Sequence, residues 1–187
     1  MSFFDQQRNH MEINAKQWFV MRDLKRPNAK LPAYRQLTEI GMEVFTPMQT
    51  RKVVRRGKRI VEEVPVLQDL LFVHELKSVL DEVVEQTTTL QYRYLHGAYC
   101  KPMTVAEAEM TRFIHAVTST ESPRYYLPGE LTPQQCGRQV RIIGGPLCGY
   151  EGQLLSIRGS KVKRLIVRLS DVVAAAVEVK PEDIQLL

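Results

Sequence analysis

The sequence predicts an α+β architecture: an antiparallel sheet carrying helices, followed by a small all-β barrel. Two observations carry that expectation. Over residues 16–118, strand-like runs alternate with segments of helical period. Over residues 137–187, short strands follow one another with turns and no helical segment between them. A third observation divides the chain. "TSTESPRYYLPGELTPQQC", Thr118–Cys136, holds Pro123, Pro128 and Pro133 and no period, so residues 119–136 read as a linker. Residues 1–15 are polar and aperiodic and read as a flexible N-terminal tail.

The first element is "QWFVMR", Gln17–Arg22, whose aromatic and branched residues suit a strand. "RPNAKLPAYRQLTEIG" follows as a helix. Pro32 fits its first turn, Ala33, Leu37 and Ile40 share a face, and Gly41 can end it. "MEVFTPMQTRKVV" and "RIVEEVPVLQDLLFV" read as strands flanking "RRGK", with Gly57 at a hairpin tip. "ELKSVLDEVVEQ" places Leu76, Leu80, Val83 and Val84 at helical spacing, and "TTTLQYRYLHG" reads as a strand. "TVAEAEMTRFIHAV" gives the clearest helical pattern. Thr104 and Glu107 have the spacing of a capping box, and Met110, Phe113, Ile114 and Val117 recur on one face.

The last fifty residues read as four strands: "RQVRII", "GQLLSI", "RLIVRL" and "VAAAVEV". Their connections are "GGPLCGYE", "RGSK" and "SD". Gly144, Gly145 and Gly149 lie in the first of these returns, and Gly152 directly follows it. Strands of a small barrel must bend sharply, and glycine permits the dihedrals a corner needs. A phosphate cradle would need its glycines to open a helix, with a Lys-Ser or Lys-Thr pair, and neither is present.

Composition excludes several classes. The net charge of +5 and pI of about 9.2 allow an anionic partner without demanding one. The charge is concentrated in "RKVVRRGKR", Arg51–Arg59, with six basic residues in nine and no acid. Cys100, Cys136 and Cys148 form no CxxC pair, which fits a reducing compartment and neither a zinc site nor a disulfide framework. No apolar run reaches membrane-spanning length and the first residues lack a signal-peptide core, so a cytoplasmic location is expected. The histidines His10, His74, His96 and His115 are scattered, no HExxH or GxSxG occurs, and no catalytic set, metal site or cofactor is expected.

"GRQVRIIGGPLCGYEGQLLSI" resembles a KOW motif, found in SH3-like barrels of ribosomal proteins and NusG-type transcription factors. The first half selects between these. "QWFVMR" resembles the opening strand of the NusG N-terminal (NGN) domain. The helix, "GMEVFTPMQ", the basic hairpin and "PVLQDLLFV" then follow in that family's order. Pro65, Leu71, Phe72 and Val73 match the family's "PLFPGYLFV" signature, whereas Leu67, Gln68, Asp69 and Leu70 replace its centre. That departure, with "VVEQTTTLQ" similar to the "HTTT" stretch of RfaH-type antiterminators, suggests a specialised paralogue of the RfaH or UpxY type. The resemblance implies an NGN domain over 16–118 and a KOW domain over 137–187.

The resemblance also implies roles, each beside a plainer reading. Phe19, Leu67 and Leu70 either fill the core or meet the clamp helices of RNA polymerase. Thr87, Thr88 and Thr89 are either ordinary strand residues or partners of the polymerase gate loop. Arg55, Arg56, Lys58 and Arg59 form either a solvated turn or a contact to upstream or non-template DNA. Leu147, Tyr150 and Ile166 would offer a half-exposed patch to a ribosomal protein or termination factor. His115 lies beside the apolar stripe of its helix as a packing or surface residue. The function this implies is operon-specific antitermination, without enzymatic activity, for surface polysaccharide genes. The alternative is a ribosome-associated KOW RNA-binding protein acting in assembly or translation. That alternative has no need of the NGN-like half, and a net charge of +5 is low for it.

Overall fold

A computed structural model describes residues 15–25, 31–55 and 57–187. Nearly all of the expected N-terminal tail, and Arg56, lie outside these. The chain divides into two compact units, residues 1–107 and 108–187.

In the first unit, β1 (Gln17–Asp23) is the central strand. It pairs antiparallel with β5 (Leu71–Glu75), β6 (Leu90–Tyr92) and β7 (Thr104–Val105), and β2 (Glu43–Phe45) extends the sheet beyond β5. Helices α1 (Ala33–Glu39) and α2 (Lys77–Gln86) contribute Ala33, Leu37 and Leu80 to a cluster with Phe19, Met21, Leu71 and Val73. Residues of β1 on the opposite face, Trp18 and Val20, are buried as well. Covering both faces explains why β1 reads as a continuous apolar run and not as an alternating one.

The expected long strands are interrupted. Pro47 lacks an amide hydrogen to continue a ladder, and β2 ends before it. β3 (Met48–Arg55) and β4 (Lys58–Pro65) pair as a separate two-stranded sheet. Thr46 Oγ1 donates to the Leu70 carbonyl at 2.9 Å, and Val66 N–H donates to the Pro47 carbonyl at 2.8 Å. These bonds fix the place where the hairpin leaves the main sheet. Thr87–Thr89 form a turn after α2, and only Leu90–Tyr92 of that stretch pair as a strand. Thr104 lies opposite Phe19 in β7 rather than capping a helix; the helix, α3 (Glu107–Thr118), begins three residues later.

α1 is started from a distance. Its N-cap position is Pro32, which offers no side-chain acceptor. The buried carboxylate of Asp23, at the end of β1, accepts from Ala33 N–H at 2.7 Å and from Lys25 N–H at 2.9 Å. Orphan amides at a helix start are thereby satisfied by a neighbouring strand. α2 starts beside Glu75, which accepts from Leu76 N–H at 2.9 Å. That bond, with Lys16 nearby, holds the Glu75 carboxyl below its usual range against a smaller opposing effect of burial.

In the second unit, the segment expected as a linker is part of the fold. β8 (Arg124–Tyr126) pairs with β12 (Val173–Val179). With β9 (Cys136–Ile142), β10 (Glu151–Leu155), β11 (Lys163–Leu169) and β13 (Ile184–Leu186) it forms one six-stranded antiparallel sheet, ordered β13-β9-β10-β11-β12-β8. Tyr126 and Leu131, from the expected linker, pack on the buried cluster of Leu155, Ile166, Ala174 and Ala176. β13 follows a short 3-10 turn, Pro181–Asp183. Ile143 N–H donates to the Asp183 carbonyl at 2.8 Å. A side chain at Gly144 would overlap the Asp183 carboxylate. Gly152 is not in the turn but in β10, where an added Cβ would lie 2.7 Å from the Ile166 carbonyl oxygen.

Two stability outcomes follow. Asp23→Ala leaves buried amides without an acceptor and should cost about 1–3 kcal/mol in chemical denaturation. A loss within error of zero would show that the cap is replaced by water. Gly152→Ala must push backbone against backbone and should cost roughly 1–3 kcal/mol or more. An unchanged denaturation midpoint would contradict the close approach of β10 and β11.

Candidate functional site

The basic stretch lies on the β3–β4 hairpin. The register opposes Lys52 to Val61, Val54 to Arg59 and Arg51 to Glu62. Partners across an antiparallel ladder share a face, so Lys52, Val54, Arg59 and Val61 lie on one side. That side is open: Val54 is 68% and Val61 65% exposed. Val53 and Ile60, on the other side, are half-buried. Lys58 and Arg59 are exposed, and Gly57 takes the left-handed turn conformation with φ of 75°. Arg55 ends β3. A ribbon with exposed cations can attract a polyanion without reading its sequence.

The three threonines sit at the end of α2. Thr87 N–H donates to the Val84 carbonyl, Leu90 N–H to the Thr87 carbonyl, and Leu24 N–H to the Thr89 carbonyl, at 3.2, 2.9 and 2.8 Å. The backbone of the turn is therefore fixed to the sheet. Thr88 is exposed, and Thr87 and Thr89 are half-buried.

The proposed apolar contacts need correction. Phe19 and Leu70 are only 2% and 1% exposed. Phe19 packs edge-on to Tyr92, with ring centroids 5.6 Å apart, inside the sheet–helix cluster. Neither can present apolar area to a partner in this conformation. Leu67 is half-buried, in a turn where Leu70 N–H donates to its carbonyl. The same turn also carries an ionic contact. Asp69 lies 3.0 Å from Arg93 Nη2 and 3.7 Å from Arg22 Nε. Sequence reading missed this cluster because its members are far apart in the chain and only the sheet joins them.

The expected patch on the second unit also needs correction. Leu147 and Ile166 are buried, Ile166 within the cluster that Tyr126 and Leu131 cover. Treating 119–136 as a linker left that cover out. Tyr150 is half-buried and held by α3. Its hydroxyl donates to the Arg112 carbonyl at 2.9 Å and lies 2.9 Å from His115 Nδ1, while the Arg112 guanidinium stands 4.6 Å from its ring centroid. Burial raises the Tyr150 hydroxyl's pKa, and Arg112 opposes that shift. His115 is thus an exposed helix residue with a structural hydrogen bond, within the packing-or-surface role expected of it. Tyr125 is pushed up to about 12 by burial.

Among the described residues, no group of three or more His, Cys, Asp or Glu is placed to hold a metal ion. The three cysteines are free, with Cys100 and Cys148 exposed. No helix among the described residues is long and apolar enough to cross a membrane.

A solved structure titled "Domain interaction in Thermotoga maritima NusG" aligns with a TM-score of 0.44 and 12% identity, over 92% of this chain and 97% of that one. No curated protein matches. The family model "NusG: Transcription termination factor nusG" matches residues 16–114, more than half of the chain, including the sheet, the basic hairpin and the threonine turn. The chain therefore belongs to the NusG family, whose members are non-enzymatic transcription factors that bind RNA polymerase.

Proposed function

We propose that this chain is an operon-specific antiterminator and elongation factor, a specialised paralogue of the RfaH or UpxY type. It binds elongating RNA polymerase and suppresses pausing and termination on surface polysaccharide genes. The observation that carries this reading is the β3–β4 hairpin, a ribbon outside the main sheet with Lys52, Lys58 and Arg59 exposed. Such a ribbon reaches DNA phosphates while the body of the unit holds the polymerase.

In this reading Arg55, Arg56, Lys58 and Arg59 contact upstream or non-template DNA. Thr87, Thr88 and Thr89 offer hydroxyls to the gate loop from a turn whose backbone is already fixed. Leu67 meets the clamp helices, and Phe19 and Leu70 support the surface from within the core. Bridging the clamp and gate loop would keep the clamp closed. Residues 137–187 act as a KOW domain that recruits a ribosomal protein or a termination factor. Because Leu147 and Ile166 are buried, that contact uses other residues. The protein works without a cofactor and in the cytoplasm.

The test is transcription by purified polymerase on a polysaccharide-operon template from the native host. Wild-type protein should shorten pauses and raise read-through. The triple variant Thr87→Ala, Thr88→Ala, Thr89→Ala should still co-sediment with polymerase but lose most of the antipausing effect. The pair Lys58→Gln, Arg59→Gln should lower the salt slope of complex formation by about two, one for each lost phosphate contact. Wild-type protein that binds polymerase yet leaves pausing and termination unchanged would refute the antiterminator reading.

A further inference from the structure

Between β6 and β7 the chain makes a loop that none of these roles uses. Its base is clamped to the central strand. Val20 N–H donates to the Met103 carbonyl, Arg93 N–H to the Val20 carbonyl and Met103 N–H to the Arg93 carbonyl, at 2.9, 2.8 and 2.7 Å. A bridge between Tyr94 and Pro102 continues the ladder, and Leu95 N–H donates to the Lys101 carbonyl at 3.0 Å. Ala98 N–H then donates to the Leu95 carbonyl at 3.3 Å, closing the tip.

At that tip Tyr99 is 97% exposed. The next residue, Cys100, has φ of 48°, a left-handed conformation that residues with a Cβ seldom adopt. The fixed base and this turn leave Tyr99 outside the fold. Tyr94, His96 and Lys101 are also exposed. From Gln86 to Ala106 the chain carries Arg93 and Lys101 and not one Asp or Glu. Lys101 also lines an open cleft of about 460 Å³ together with Lys16, Lys77 and Trp18. Lys16 and Lys77 have carboxylate partners in Glu75 and Asp81, Glu107 lines the same cleft and Arg93 pairs with Asp69, so the cation that the loop itself presents is Lys101.

A tyrosine ring with both faces in water gains free energy when a flat apolar group covers one of them. The loop itself carries no acid and has a cation two residues from the ring, which suits an anionic partner. Every nucleobase has a face that stacks on tyrosine, and its phosphate complements a lysine. We infer that the loop Tyr94–Lys101 is a binding site for single-stranded nucleic acid, with one unstacked base on Tyr99 and an adjacent phosphate on Lys101. It is separate from the β3–β4 hairpin and selects single strands, because a base inside a duplex has no free face.

The experiment is fluorescence anisotropy of the full chain with labelled oligo(dT), oligo(U) and a duplex of matching length. Tyr99→Ala should weaken single-strand binding by roughly 5- to 150-fold, the range of one lost base stack. Tyr99→Phe should bind as wild type, and duplex binding should not change. Lys101→Gln should lower the salt slope by about one. A preference between oligo(dT) and oligo(U) identifies which strand the loop takes. Lys58→Gln with Arg59→Gln separates the two surfaces. If that pair abolishes single-strand binding while Tyr99→Ala does not weaken it, the loop is not the site. Absence of single-strand binding by wild type at low salt, or equal losses of duplex and single-strand binding in Tyr99→Ala, would also overturn the inference.

Discussion

The first unit depends on the position of β1, which pairs with β5, β6 and β7 and is buried on both faces. Its backbone also ties down both ends of the β6–β7 loop through Val20, and its last residue supplies the carboxylate that starts α1. A strand so enclosed offers little surface of its own beyond the exposed Arg22 and the edge that lines the cleft at Trp18. In the proposed reading, binding falls to the turn after α2, the loop between β6 and β7, and the hairpin that leaves the sheet at Thr46–Pro47. Each is a short or irregular segment on a rigid base, the usual arrangement for recognition.

In the second unit the organising constraint is close backbone approach. Gly152 lets β10 lie against the Ile166 carbonyl, and Gly144 makes room for the Asp183 carboxylate. The glycine-rich stretch is thus architectural, as its lack of phosphate-loop chemistry implied. The prolines of residues 119–136 do not keep that segment out of the fold. β8 adds a short edge strand, which exposes few ladder groups and tolerates such neighbours. Tyr126 and Leu131 then bury apolar area that would otherwise face water.

Most of the fold was legible because it rests on periodicity. β1, α1, α2, α3 and the strands from β9 to β12 all lie where apolar spacing puts them. What escaped depends on pairing between distant residues. Nothing local distinguishes Thr87–Thr89 as a turn, because threonine suits strands and the deciding bonds come from Val84, Leu24 and Leu90. The capping-box spacing of Thr104 and Glu107 was overridden by pairing with Phe19. The basic hairpin could be found from charge and one glycine. The burial of Phe19, Leu70, Leu147 and Ile166 could not, since an apolar residue looks the same in sequence whether it faces a core or a partner. Tyr99 was invisible for the same reason, and only its exposure and the turn at Cys100 set it apart.

The central claim is that a transcription elongation complex is bound through segments that β1 supports and not through β1 itself. Hydrogen–deuterium exchange of the full chain, free and bound to a reconstituted elongation complex, tests it most directly. The account predicts new protection at residues 48–65 and 86–90, with β1 equally protected in both states because its amides are already in ladders. Protection confined to residues 108–187, with the hairpin and the threonine turn unchanged, would contradict it.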